Sequence, residues 1–239
     1  DLLTATYADA TLLITQDGDV TKAIAELQRG LNLIAEWFRR WGLRLNASKT
    51  EAKVFALRRL HTDTLPRLVL NGTEVNWKQT DESVKYIGNY NDTKLTWNDH
   101  INKKLTLAHT RLSQLYPLIN RHSSIKHETA KILYTGLIRP ILTYACPVWA
   151  SITKTQHAKL QRFENKVLRL AVGAPWFVRN SQIRRELVIP EIGEFIKTTT
   201  AKFLESLQIV PAGVEFSLGQ PTPNRRLKPR LPQDLQEFF

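Results

Sequence analysis

Leu3-Thr4-Ala5-Thr6-Tyr7-Ala8-Asp9-Ala10-Thr11-Leu12-Leu13-Ile14-Thr15 is the stretch on which the fold turns. Two short runs rich in Thr, Leu and Ile flank Ala8-Asp9-Ala10, which predicts a β-hairpin with a polar residue at its tip. The turn lacks the Gly or Asn that would mark it most strongly. Immediately after it, Val20, Ile24, Leu27, Leu31, Ile34, Phe38 and Trp41 recur at alternating steps of four and three, one face of a helix. Lys22, Glu26, Arg29, Glu36, Arg39 and Arg40 fall off that stripe, Asp17 and Asp19 are available to cap its start, and Gly42 ends it. The apolar pattern stops after about three heptads, too soon for a coiled coil, so the expected arrangement is a helix lying on a sheet.

Outward from this core, Leu43 to Leu57 has strand character interrupted by Asn46-Ala47-Ser48-Lys49-Thr50. Arg67 to Leu70 and Thr73 to Val75 flank Asn71-Gly72, the signature of a tight hairpin. Val84 to Ile87 reads as another short strand ahead of Gly88. From Asn98 onward the pattern is helical: Asn98 to Asn120, His127 to Arg139, Ile141 to Trp149, Thr155 to Val172, Gln182 to Leu187 and Gly193 to Ile209, with Pro140 and Pro147 expected to interrupt. Pro211 to Phe239 holds five prolines and the basic run Arg225-Arg226-Leu227-Lys228-Pro229-Arg230, and is expected to be a disordered or loosely packed tail. The fold class is α+β, with expected segments at 1–92, 93–210 and 211–239.

The formal net charge of +12 over 239 residues implies an acidic partner, nucleic acid ahead of an anionic membrane or a merely solubilising surface. One cysteine, Cys146, excludes an internal disulfide and a cysteine zinc cluster, fits a reducing compartment, and sits in an apolar run where a buried thiol is expected. No uninterrupted apolar stretch approaches the ~18 residues of a membrane span, and no basic leader precedes an apolar core at the N-terminus. The absence of methionine, with a start at Asp1, is read as a fragment of a longer chain or the translation of a truncated gene.

A carboxylate at the tip of a hairpin, preceded by an aromatic and flanked by apolar strands, suits metal-dependent phosphoryl transfer, because strand ends hold hard oxygen ligands rigidly. Taken alone, Asp9 reads first as a turn residue, Lys49 as a loop lysine and the six histidines as surface residues without metal-ligand spacing. Trp37, Trp41, Trp149 and Trp176 read as core, whereas Trp97, in a polar setting, reads either as core or as a nucleic-acid contact.

The string Tyr7-Ala8-Asp9-Ala10-Thr11 resembles the active-site motif of the reverse transcriptases of jockey-like non-LTR retrotransposons, an aromatic, Ala, Asp, Asp, usually followed by Thr. Four further stretches are similar to that family in order. These are Trp37 to Thr50, with an Asn-x-x-Lys-Thr turn; Val84 to Gly88 followed by Lys94 to Ile101; Arg139 to Ala145 with Pro147-Val148-Trp149; and Leu160 to Arg169 with Ala174 to Val178. The resemblance covers roughly Thr6 to Ile192. It implies a partial polymerase palm with a primer-grip-like hairpin, then an all-helical thumb, then the Pro/Arg-rich tail. It implies Asp9 as a metal-binding catalytic carboxylate, Lys49 near the incoming triphosphate, and Mg2+ as the cofactor of the intact enzyme. Tyr86, Gly88, Lys94 and Trp97 fall in the primer-grip and thumb-entry stretches. Lys103, Lys104 and Arg111 on the first thumb helix, with Arg121 and Lys126 beyond it, are expected to track a nucleic-acid backbone.

The implied partners are an RNA template, a DNA primer or nicked target, and the N-terminal half of the polymerase with its endonuclease. The implied setting is intracellular, with action in the nucleus and a cytoplasmic ribonucleoprotein as a further station. Two departures stand out. The strand that in the family supplies another metal-binding Asp is missing, and Ala10 occupies the place of the second Asp. The expectation is that this chain alone does not polymerise. The competing expectations are a non-catalytic nucleic-acid-binding module left from a decayed element and a helical scaffold with incidental positive charge.

Overall fold

The computed structural model describes residues 2–56, 61–120, 123 and 125–207. The chain divides into two compact units, Asp1–Thr96 and Trp97–Phe239. The first mixes one long helix with small sheets and the second is helical, an α+β arrangement. The Pro/Arg-rich tail lies outside the described residues.

In the first unit, β1 (Leu2–Tyr7) and β2 (Ala10–Thr15) pair antiparallel from Leu2 opposite Thr15 to Tyr7 opposite Ala10. Ala10 therefore belongs to a strand, and the turn is Ala8-Asp9 alone. Ala8 adopts a φ of 52°, the left-handed region that Gly or Asn usually fills, so the tight turn forms despite its residue type. Helix α1 (Val20–Arg40) packs on this hairpin. Asp19 caps it by accepting from the Thr21 N–H at 2.8 Å. Its end is a Schellman motif: Leu43 N–H donates to Phe38 O at 2.9 Å, Gly42 N–H donates to Arg39 O at 3.1 Å, and Gly42 sits at φ 70°. A Cβ on Gly30, buried in mid-helix, would lie 2.6 Å from Leu2 Cδ2, so glycine permits the close approach of helix and strand. The helix stripe is buried at Ile24 and Leu31, but it runs off the core at its C-terminal end, where Trp37 is 53% and Trp41 69% exposed. The core expected for these two tryptophans is not there among the described residues.

The stretch after α1 is less strand-like than its sequence. Ala47–Lys49 forms a 3₁₀ turn, and only β3 (Glu51–Ala52) is extended in a ladder, parallel to β6 (Asn76–Trp77). The reason is Asn46, whose side chain accepts from Lys49 N–H and Ser48 Oγ and so competes with strand pairing. The Asn71-Gly72 hairpin forms as its sequence predicts, between β4 (Val69–Leu70) and β5 (Thr73–Glu74), both turn residues having positive φ. Strands β7 (Val84–Tyr86) and β8 (Asn89–Asn91) make a last hairpin around Ile87-Gly88. Lys53 Nζ ties β3 to the segment preceding that hairpin, donating to the carbonyls of Gln79 (2.5 Å) and Glu82 (2.6 Å).

The second unit packs α2 (Asn98–Leu115), α3 (His127–Leu133), α4 (Arg139–Thr143), α5 (Cys146–Trp149), α6 (Lys154–Ala171), α7 (Asn180–Leu187) and α8 (Ile192–Leu207) around one core that includes Trp97, Ile101, Tyr134, Ile138, Leu142, Trp149, Leu160 and Ile196. Helix α2 ends at Leu115, short of the expected Asn120, because Pro117 follows. Pro140 does not break the chain as expected. Residues Tyr134–Ile138 form a wide π-helical turn, and Pro140 stands in the first turn of α4, where its missing N–H is tolerated. The break comes instead at Tyr144-Ala145, Ala145 having a φ of 52°, and Pro147 opens α5. Helix α6 begins with a capping box between Thr153 and Gln156. Buried polar groups form a chain through this core. Tyr134 Oη donates to Glu164 Oε1 at 2.5 Å, Glu164 Oε2 accepts from Gln161 Nε2 (2.7 Å) and Ile192 N–H (3.1 Å), and the Arg139 guanidinium lies over the rings of Tyr134 and Phe195 at 5.2 and 4.7 Å.

Cys146 is buried as expected, and burial pushes its thiol up to about 11, away from reactivity. No helix among the described residues is long and apolar enough to cross a membrane. His100 is fully buried between Trp97 and Trp149, and desolvation, helped by the nearby Lys104 charge and opposed by Asp99, lowers its pKa to about 4. His157 and His109 are lowered too, chiefly by burial. An imidazole that is neutral in the fold but protonates when the chain unfolds stabilises above pH ~6.5 and loses that contribution as pH falls toward 4. We expect stability to drop by about 3 kcal/mol for His100 over that window, and His100→Gln to flatten the profile. Thermal melts between pH 7 and 4 check this, and a flat wild-type profile would contradict it.

Candidate active site and nucleic-acid contacts

The local structure puts Asp9 at the free end of the hairpin, solvent-exposed, with Tyr7 beside it also largely exposed. Nothing covers this apex among the described residues. Ala10, directly after it, is half-buried and brings no ligand atom. Lys49 is exposed in the 3₁₀ turn capped by Asn46, and that turn packs against β5. Among the described residues neither the Asp9 nor the Lys49 side chain makes a hydrogen bond or ion pair, and no interaction joins them. Each is displayed on its own small hairpin or turn.

A pair of divalent ions needs several hard oxygen donors converging from neighbouring strands. The donor set at the apex is one carboxylate. Among the described residues no group of three His, Cys, Asp or Glu side chains is placed to hold a metal ion. Among the described residues, then, the apex does not carry the donor set that such a metal pair requires.

The primer-grip-like stretch is an ordered hairpin. Tyr86 is half-buried on β7, opposite Asn89, and Ile87-Gly88 turn with φ of 44° and 75°. Glycine at 88 meets a left-handed geometry that a side chain would resist. Lys94 is exposed at a turn organised by Asp92, whose carboxylate accepts from the backbone N–H groups of Lys94 (3.1 Å) and Thr96 (3.0 Å). The turn is thus built to present position 94 to solvent.

In the helical unit the expected contacts divide. Arg111 and Lys126 are exposed. Lys103 is half-exposed and pairs with Asp99 at 2.8 Å, one turn earlier. Lys104 is a correction: it is 8% exposed, with its ammonium 4.4 Å from the centre of the Tyr144 ring. The heptad position that carries it faces the core, as Ile101 and Ala108 do, so it does not reach phosphate. Trp97 is corrected likewise. It is 5% exposed and part of the core, leaving no ring face for a base. Of the polar neighbours that suggested otherwise, His100 is itself fully buried and packs edge-on against the Trp97 ring, while Lys94 is exposed in the preceding turn. Arg121 lies outside the described residues.

One set of residues escaped the sequence reading. Trp176, expected in the core, is 89% exposed, and Phe177 is 68% exposed beside it. The available signal was their position between Pro175 and Arg179, after the helix-ending Gly173, which marks a loop rather than a packed helix face.

Comparison with known proteins gives consistent relatives. Over 98% of its length the chain is 30% identical to the RNA-directed DNA polymerase from mobile element jockey of Drosophila melanogaster, of which it spans 26%. It is 28% identical to the probable RNA-directed DNA polymerase from transposon BS of the same species, over 95% of this chain and 24% of that protein. It is 29% identical to the corresponding jockey polymerase of Drosophila funebris, over 98% of this chain and 26% of that protein. The chain spans about a quarter of the length of the curated relatives it matches. No family model and no solved structure matches it.

Proposed function

We propose that this chain, whose homologues are RNA-directed DNA polymerases of jockey and related non-LTR retrotransposons, is the C-terminal part of such a polymerase. In this reading residues 1–92 are a partial palm carrying the active-site hairpin and a primer-grip-like hairpin, 93–210 are the thumb, and 211–239 are a tail. The whole enzyme copies element RNA into DNA at a nicked target, in the nucleus, with Mg2+. The observation that carries the reading is an exposed carboxylate, Asp9, at the apex of a two-residue turn, in a chain similar over nearly its whole length to polymerases. Polymerase relatives favour this over a free-standing binding module.

Within that enzyme the roles follow from placement. Asp9 is one of the metal-binding carboxylates, and the others come from a segment not in this chain. Lys49 offsets charge near the triphosphate. Tyr86, Gly88 and Lys94 position the primer end through a rigid hairpin and turn. Lys103, Arg111 and Lys126 supply phosphate contacts, which bring affinity without sequence choice.

The test has two arms. On a primed RNA template with Mg2+, this chain alone is expected to give no template-dependent extension, and product would overturn the need for carboxylates from another segment. Its binding to the primer–template duplex is expected to weaken steeply with salt, log Kd rising linearly with log salt concentration. A salt-independent or undetectable interaction would remove the nucleic-acid reading itself.

A further inference from the structure

The loop joining α6 to α7 is held more firmly than its exposure suggests. Helix α6 closes in a second Schellman motif, with Ala174 N–H donating to Arg169 O at 3.0 Å, Gly173 N–H to Leu170 O at 3.2 Å, and Gly173 at φ 60°. The Arg169 guanidinium then reaches along the loop. It donates to Pro175 O (2.5 Å), Val178 O (2.6 Å) and Asn180 Oδ1 (2.8 Å), spending its donors on the segment's own backbone and on the first residue of α7. Val178 N–H closes a turn onto Pro175 O at 3.2 Å. Between these ties stand Trp176 and Phe177, edge to face with ring centroids 5.9 Å apart, both turned to solvent.

Two adjacent large aromatics on a pinned loop are costly to leave in water and mark an interaction surface. The chemistry around them selects the occupant. From Lys154 to Leu187 there are eight lysines and arginines against two glutamates, and one of those, Glu164, is fully buried. Arg162, Lys166, Arg179 and Arg185 are exposed, and residues 172–181 contain no acid. Aromatic faces amid uncompensated positive charge are what unpaired bases and their phosphates require: rings for stacking, cations for the backbone. A paired duplex hides its base faces and gains only from the charges.

We propose that Trp176 and Phe177, clamped by Arg169 and flanked by Arg179, form a stacking platform for a single-stranded stretch of nucleic acid, separate from the phosphate contacts on α2 and α3. The choice of nucleic acid over an acidic protein rests on the polymerase reading above. The clamp matters because a stacking surface held in place loses little freedom on binding.

The experiment measures binding of the full 239-residue chain to a labelled single-stranded RNA of ~12 nucleotides, within the span of known single-strand sites, and to the primer–template duplex. Trp176→Ala with Phe177→Ala is expected to weaken single-strand binding roughly tenfold or more, since each base–aromatic stack is worth a factor of that order. Trp176→Phe should retain most of the affinity, Arg179→Ala should reduce the salt dependence, and duplex affinity should hold. Because both rings are exposed, an unchanged melting temperature certifies the fold. Unchanged single-strand affinity in the double variant, with salt-sensitive duplex binding intact, overturns the platform alone, and so does equal loss on both ligands or a changed oligomeric state without loss of RNA binding. Absence of any nucleic-acid binding by the wild-type chain overturns the platform and the polymerase reading together.

Discussion

Glu164→Ala is expected to destabilise the helical unit by about 3–5 kcal/mol, the cost of breaking a buried charged network from one side. Its side chain is fully buried and receives three donors: Tyr134 Oη, Gln161 Nε2 and the Ile192 N–H. Alanine leaves Tyr134 Oη without its acceptor, while Gln161 Nε2 keeps Asn165 Oδ1 (3.0 Å) and the Ile192 N–H keeps only the longer bond to Gln161 Oε1 (3.3 Å), and it deprives Arg139, itself almost wholly buried, of the negative group it reaches through Tyr134. At roughly 2–4 °C per kcal/mol for a unit of about 150 residues, the melting temperature should fall by roughly 6–20 °C. Glu164→Gln should cost less, since Oε1 still accepts from Tyr134, but its amide places a donor against two donors. The same burial, with the Glu164 charge and hydrogen bond adding to it, raises the Tyr134 hydroxyl above its ordinary value, so that the phenol stays a donor at every accessible pH. Thermal unfolding followed by circular dichroism decides the matter. A shift of a degree or two would mean that water replaces the lost acceptor and that the network is not a keystone of the core.

With the rest of the polymerase supplied, Ala10→Asp is expected to raise primer extension by about two to three orders of magnitude, the usual worth of one electrostatic group at a developing charge. Ala10 is the first residue of β2, opposite Tyr7 and next to the exposed turn, so a carboxylate there can face the same apex as Asp9 without entering the core. The gain should be specific to added charge: Ala10→Asn, equal in size, should give little. Asp9→Asn should abolish activity in either background. Extension rates of the parent, Ala10→Asp, Ala10→Asn and Asp9→Asn in both backgrounds, five proteins on one primed template, make the comparison. If Ala10→Asp leaves the rate where it was, the alanine is not what limits extension.

Much of the first unit was readable from residues because its signals are local. The hairpin followed from two runs rich in Thr, Leu and Ile around Asp9, α1 from seven apolar positions at steps of four and three, and the second hairpin from Asn71-Gly72, whose dihedrals leave little choice. Trp176 carried a loop signal in the flanking Gly173 and Pro175, whereas the fate of Trp97 was not readable. Trp97 sits beside charged and turn-forming residues, and only tertiary packing decides that it enters the core. Lys104 shows the same limit. Composition marks it as a phosphate contact, but its phase on α2, in step with Ile101 and Ala108, puts it over Tyr144. The candidate active site was legible as a single carboxylate at an apex and no further, because Leu2–Thr15 carries no other acid.

The wide turn at Tyr134–Ile138 explains a spacing that an ordinary helix would not allow. Ala130, Tyr134, Ile138 and Leu142 are all buried and follow one another at intervals of four, never three. On a regular α-helix each such interval advances about 40° around the axis, so the last would stand about 120° from the first. A single surplus residue, absorbed where the ladder loosens ahead of Pro140, winds that drift back and keeps four consecutive anchors aimed at one interior. In this chain an unbroken run of fours is thus the written trace of a bulge, and shortening the segment by one residue would send Arg139 and everything after it to a different side of the rod.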